Sequence, residues 1–266
     1  AWERLGVPPE AAIGILVDEN APEFYLAELA AVLTRRTSVG LPAALSAEAL
    51  GDIAGRAGLG LVVADRRGLE LLRAPGFASA RAGLSASAGV LGFGEALPEL
   101  QRDERALAAL LDDARSDPGL SSFRAASGLT LTTGILHDDV SGHARARQEG
   151  IVEDGAEDLF TILFTSGSTG LPKGTLATRR RWAEEMCVEV DLWPYVGASF
   201  QPSAIAGDRG AVWRALTNGG RVGFARRGAE LFHDLRRLRP TLFDVPPVVW
   251  NTLYGEYRRA IARADL

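Results

Sequence analysis

Lysine is almost missing from this 266-residue chain: Lys173 is the only one, and every other basic side chain is arginine. Cysteine is as scarce. Cys187 alone excludes an internal disulfide and fits a reducing compartment, where it reads as a helix-face residue rather than a nucleophile. No apolar stretch approaches the roughly 20 residues that a bilayer-spanning helix needs, and no signal peptide heads the chain, so a cytoplasmic location without a membrane span is expected. The formal net charge of −5 provides no basic field for nucleic acid, and Trp182, Trp193, Trp213 and Trp250 read as packing residues rather than a base-stacking platform.

What is present concentrates around the one lysine. Asp158 to Phe164 is a short apolar, partly β-branched run that predicts a buried strand. It leads into Thr165-Ser166-Gly167-Ser168-Thr169-Gly170-Leu171-Pro172-Lys173-Gly174, which cannot continue a strand. Gly167, Gly170 and Gly174 permit backbone angles that turn consecutive N–H groups into one concavity, and Thr165, Ser166, Ser168 and Thr169 add hydroxyl donors. Such a nest binds anions, and a lysine ammonium is a compact point charge suited to meeting phosphate in a tight loop. The spacing is not that of a Walker loop, in which the lysine follows glycine and precedes Ser or Thr, which disfavours a P-loop kinase or ATPase. Nor does it give the G-x-S-x-G of a hydrolase nucleophile elbow.

The run TSGSTGLPKG resembles the phosphate-loop signature of the adenylate-forming superfamily, which includes acyl-CoA synthetases, nonribosomal adenylation domains, carboxylic acid reductases and luciferases. The resemblance implies that the loop wraps the β- and γ-phosphates of ATP, with Mg2+, while a carboxylic acid attacks the α-phosphate to give an acyl-adenylate and pyrophosphate. By position, Thr165, Ser166, Ser168, Thr169 and Lys173 would supply the contacting side chains, with Gly167, Gly170 and Gly174 shaping the loop. CoA or a carrier-protein phosphopantetheine would be the acceptor. Residues 11 to 65 are similar to the family's opening alternation of strand, helix, strand and helix. Within it Asn20 can cap, Pro22 suits a first turn and Glu23 complements the helix dipole. Asn218 to Phe224 and Arg239 to Trp250 look like a second parallel unit, the latter most similar to carboxylic acid reductases and long-chain acyl-CoA synthetases.

Departures from the family pattern bear on the acyl site. Where members show a proline followed by an aromatic or histidine, this chain has Gln201-Pro202-Ser203-Ala204-Ile205-Ala206-Gly207-Asp208, with Ala204 or Ile205 at that place. A smaller, more apolar wall is expected there, with Ala204, Ile205, Gly207 and Asp208 as candidate substrate residues. Asp208 either pairs with a substrate ammonium or faces solvent at a helix start. After the loop, Thr178-Arg179 stands where Thr-His is common, and Arg179-Arg180-Arg181 reads as a solvated helix start ahead of a phosphate contact. The family's magnesium-binding acid, ribose-binding aspartate and C-terminal domain with a catalytic lysine are expected beyond residue 266, so the chain reads as part of a larger domain. A non-catalytic adenylation-like scaffold or partner-binding module is the alternative from another class.

Helical periodicity predicts helices over 22–35, 46–57, 103–115, 229–239 and 248–262, with strands near 12–17, 60–64, 159–164, 221–225 and 241–245. This alternation predicts an α/β fold with layered, largely parallel sheets flanked by helices. The expected organisation is a first lobe over 1–157 and a phosphate-loop lobe over 158–266. Residues 74–94 and 134–157 read as connections, the second holding His137, Asp138, Asp139 and His143 as a solvated loop rather than a metal site.

Overall fold

The computed structural model describes residues 7–18, 20–80, 89–92, 104–106, 157–165, 172–186 and 194–264. Two kinds of local pattern build its first half. Strands β1 (Ala12–Leu16), β2 (Ser38–Leu41) and β3 (Leu59–Ala64) are buried at every position, as expected of parallel strands covered on both faces. Between and after them run α1 (Pro22–Leu33), α2 (Ala47–Arg56), α3 (Arg66–Arg73) and α4 (Pro75–Ala80). The two-residue period of the strands sorts the core. Ile13, Ile15, Leu61 and Val63 pack with Phe24 and Ala31 of α1 on one face, whereas Leu16, Val39, Leu41 and Val62 pack with Leu50, Ile53 and Leu69 on the other.

Strands β4 (Gly89–Gly92), β5 (Glu104–Ala106), β6 (Leu159–Thr165) and β7 (Lys173–Thr178) complete a seven-stranded sheet of order β5-β4-β3-β1-β2-β6-β7. All neighbours are parallel except β6 and β7, which are antiparallel. The sheet thus runs through residue 157, with β1–β5 before it and β6 and β7 after it. Helix α5 (Arg179–Met186) follows, and a second parallel pair, β8 (Val196–Ser199) and β9 (Arg221–Phe224), is joined by α6 (Ala206–Thr217). Helices α7 (Glu230–Leu238) and α8 (Pro247–Ala264) end the described chain. The α/β class with a mostly parallel sheet between helices is as the alternation predicts.

Several expectations change. Residues 104–106, placed in a helix by periodicity, form an edge strand paired with β4, because tertiary pairing outweighs a weak helical preference; the rest of 103–115 lies outside the described residues. The segment 241–245 makes no strand. Thr241 exchanges one backbone bond with Val196, and its hydroxyl accepts from the Val196 N–H, but Pro240, Pro246 and Pro247 bracket it with residues that cannot donate. Within 74–94, α4 and β4 replace part of the expected connection, their small residues hiding any period. Asn20 does not cap α1: Ala21 holds that position without a side-chain bond, and Asn20 Nδ2 instead donates to the Ser199 carbonyl at 2.7 Å. Pro22 and Glu23 take the first turn as expected.

Candidate functional site

The candidate phosphate loop joins two antiparallel strands. Thr165 ends β6 directly across from Lys173, which begins β7, and Phe164 lies across from Gly174. Residues Ser166, Gly167, Ser168, Thr169 and Gly170, with Leu171, lie outside the described residues. Pro172 is buried, while Lys173 and Gly174 are exposed at the mouth of the hairpin. A side chain at Gly174 would come within 3.2 Å of the Phe164 ring and 3.1 Å of Ile162, so the closing strand lies tight against β6. That antiparallel closure was not foreseen, since an edge strand with four exposed residues carries no alternation to read.

The four candidate acyl-site residues divide into two pairs. Ala204 is buried, its Cα only 3.1 Å from where a Cβ on Gly40 would stand. Ile205, just before α6, is 45% exposed, and nothing lies within 4 Å of a side chain added at Gly207. Asp208 sits in the first turn of α6, as a helix start favours, but it does not face solvent. Its Oδ1 accepts from the backbone N–H groups of Phe200 (3.0 Å) and Gln201 (3.1 Å), and its Oδ2 from the Ser199 hydroxyl (2.5 Å) and the Tyr25 phenol (3.1 Å). Burial pushes its pKa up, and those four donors oppose the shift. Burial likewise raises the Tyr25 phenol, with Asp208 adding to the effect, so Tyr25 stays a donor.

The next residue carries a feature that sequence reading missed. Arg209 is fully buried, ion-paired with the fully buried Glu28 of α1. Its Nη2 also donates to Thr161 Oγ1 on β6 at 2.9 Å, and its guanidinium carbon lies 4.8 Å from the Trp182 ring centre. Glu28 is saturated in turn: Oε1 accepts from the Ser38 hydroxyl (3.0 Å) and Oε2 from the Trp213 indole N–H (2.8 Å). Burial pulls the Arg209 pKa down from its ordinary value, and Tyr25 opposes that shift electrostatically. Five elements, α1, β2, β6, α5 and α6, meet at this cluster. Its one signal in the sequence is Glu28 standing among Phe24, Ala27 and Ala31 on the buried stripe of α1.

Other candidates settle as packing or surface. Arg179 donates to the Val32 carbonyl, Arg180 pairs with Glu157 and Arg181 with Glu185, which makes the arginine run a helix start engaged with protein. Trp182 is buried and stacks on Phe160 at 4.8 Å, and Trp213 is also buried, whereas Trp250 is half exposed. Trp193, Cys187 and the His137, Asp138, Asp139, His143 group lie outside the described residues. Among the described residues no group of three or more His, Cys, Asp or Glu could hold a metal, and no helix is long and apolar enough to cross a membrane.

Comparison with known proteins gives a consistent set of relatives. The family described as AMP-binding enzyme matches residues 2–265. A carboxylic acid reductase of Mycobacterium marinum is 30% identical over 140 residues, which cover 50% of this chain and 12% of that protein. Fatty acyl-CoA synthetase A of Dictyostelium discoideum is 27% identical over 264 residues, 96% of this chain and 35% of the relative. The chain thus spans about a third or less of the length of these curated relatives. Among solved structures, the adenylation domain of a carboxylate reductase from Mycobacterium chelonae matches with a TM-score of 0.64 at 19% identity, covering 98% of this chain and 39% of that one. The A domain of a carboxylic acid reductase from Segniliparus rugosus, in complex with AMP and a co-purified carboxylic acid, matches at 0.61 and 17%, covering 97% and 40%. At such identity the structural likeness is one of fold.

Proposed function

The chain belongs to the AMP-binding enzyme family, and on that premise we propose that it is the ATP-phosphate-binding part of an enzyme that activates a carboxylic acid as an acyl-adenylate. In that reaction a carboxylate oxygen bonds to the α-phosphorus of ATP as the bond to the β-phosphate oxygen breaks, releasing pyrophosphate. The observation that carries the reading is the single lysine of the chain, exposed at the closing end of a glycine- and hydroxyl-rich hairpin loop. An ammonium there meets the charge of the departing pyrophosphate, with the Thr165–Thr169 hydroxyls and loop N–H groups as further donors. Magnesium binds chiefly through substrate phosphates and one or two carboxylates. CoA or a carrier-protein phosphopantetheine is the proposed acceptor, in keeping with relatives named as acyl-CoA synthetases and an A-PCP didomain.

Acid-dependent pyrophosphate–ATP exchange by the full-length natural polypeptide tests this. Because a charged hydrogen bond contributes about 1.5–3 kcal/mol, Lys173→Ala should lose roughly tenfold to a hundredfold in exchange, and Lys173→Arg less. An alanine variant as active as wild type refutes the role of Lys173. A wild type inactive on every acid would leave a non-catalytic module.

The acid is proposed to be apolar and bulky or extended. Ala204 or Ile205 stands where the resembling pattern has histidine or an aromatic, Ile205 being the exposed one, and Asp208, the acid nearest to it in the chain, has both oxygens engaged by internal donors. Each buried methylene contributes about 0.8 kcal/mol, so kcat/KM should climb along a series of lengthening acids. Preference for a free amino acid, abolished by Asp208→Asn, would overturn the apolar wall.

A further inference from the structure

Helix α2 ends beside the candidate phosphate loop, and its last residue touches both flanks of it. Arg56 donates through Nη2 to the Pro172 carbonyl at 3.1 Å, one residue before Lys173. Its guanidinium carbon also lies 5.7 Å from the centre of the Phe164 ring, one residue before Thr165. Asp52, one turn earlier on α2, forms an ion pair with the same guanidinium at 2.6 Å. A single planar cation therefore spans the entry and exit of the 166–171 segment.

The hairpin has few other supports on that side. β7 closes the sheet, with no further strand beside it among the described residues, and Lys173, Gly174, Thr175 and Leu176 are all exposed. Pro172 has no N–H to add to the ladder, so its carbonyl is the one backbone group it can offer as a tether. Ile162 and Phe164 pack against the apolar cluster that also contains Leu50 and Ile53 of α2, which makes α2 the rigid element from which the arginine reaches. A lysine at 56 could reach the carbonyl, but it lacks the flat face that lies over the Phe164 ring.

We propose that Arg56 is a positioning residue for Lys173: it holds the two stems at Phe164 and Pro172 so that the ammonium keeps a fixed approach to nucleotide phosphate. The inference rests on the adenylation reading for its consequence in catalysis, but not for the bracing itself. Arg56 is about half exposed, so the bond is screened and its loss is moderate.

Two readouts on the full-length natural polypeptide test it. In hydrogen–deuterium exchange, Arg56→Ala should speed exchange of a peptide spanning 164–174 several-fold while a peptide over α5 is unchanged. In pyrophosphate exchange it should raise KM for ATP roughly fivefold to tenfold, the low end for one screened hydrogen bond plus one exposed cation–π contact, with KM for the acid unchanged. Arg56→Lys should fall between alanine and wild type in both. Arg56→Gln, which keeps a donor and much of the stem, replaces alanine if the α5 peptide also loosens. Unchanged exchange at 164–174 overturns the bracing whatever the activity. Faster loop exchange in a protein whose wild type makes no acid-dependent pyrophosphate exchange upholds the bracing and removes the adenylation reading. Equal rises in KM for ATP and acid overturn the loop-specific role.

Discussion

Replacing Glu28 by alanine should destabilise the fold more than almost any other single change, and the structure sets the size of the effect. The carboxylate has no solvent exposure and answers three partners: Arg209, the Ser38 hydroxyl and the Trp213 indole. Its removal leaves a fully buried guanidinium whose Nε and Nη1 already lack hydrogen-bond partners among the described residues. Breaking a buried ion pair from one side costs about 3–5 kcal/mol, because the remaining charge keeps its desolvation penalty without its compensation. A domain stable by about 5–15 kcal/mol loses a large part of its margin to such a change. Glu28→Gln, which keeps an acceptor and the volume, should cost less. The double change Glu28→Met with Arg209→Met should cost less than Glu28→Ala alone, since replacing both charges by apolar groups is often neutral or stabilising. Urea denaturation of the four proteins, with midpoint and slope fitted separately, reads these differences. A Glu28→Ala loss below about 1 kcal/mol, or a double variant weaker than the single, refutes the view that the pair compensates a buried charge.

Two further outcomes follow from local geometry. Gly68→Ala should destabilise by about 1–3 kcal/mol, because a Cβ there would stand 2.5 Å from the Leu16 carbonyl oxygen, a backbone atom that cannot swing aside; an unchanged denaturation midpoint counts against the close seating of α3 on the sheet. At the surface, Arg226 holds the Asp234 carboxyl well below the ordinary carboxylate range, first through its guanidinium and then through its backbone N–H. The folded pKa is the lower one, so this pair adds stability above the unfolded value of about 4 and loses it as pH falls toward the folded value. The gap between wild type and Asp234→Asn should be full at neutral pH, shrink in acid and narrow in high salt. A gap that widens in acid would reverse the assigned sign.

How far the sequence could be read depended on whether a segment's environment is written locally. β1, β3 and β6 are apolar runs because both faces of the sheet are covered, and a run of that kind is visible without knowing its neighbours. α1 and α2 were visible for the same reason, as was the glycine- and hydroxyl-rich loop, whose order of residues is its own signature. β5 and β7 were not, since an edge strand of mixed polarity becomes a strand only by pairing. The Glu28–Arg209 pair joins residues 181 positions apart, and no window of sequence holds both. Asp208 illustrates the same limit. Its place at a helix start was legible, but its burial depends on the turn at 199–201 and on Tyr25 of a distant helix.

Consecutive residues of α6 thereby hold two parts of the candidate site in register. Asp208 fastens the backbone of Phe200 and Gln201, which leads into Ala204 and Ile205, and Arg209 fastens Thr161, four residues before the end of β6 at Thr165. The candidate acyl segment and the stem of the candidate phosphate loop are therefore anchored to one helical turn rather than to separate surfaces. On the proposed chemistry, a carboxylate oxygen must come within about 3–3.5 Å of phosphorus, and an error of about 1 Å costs orders of magnitude in rate. A buried ion pair is a poor source of net stability compared with apolar packing, but its directional bonds allow one arrangement of the elements that meet there. The buried pair lies where α1, β2, β6, α5 and α6 converge, between the stem of the candidate loop and the candidate acyl segment, so on the proposed chemistry it is placed to limit a shift between the two.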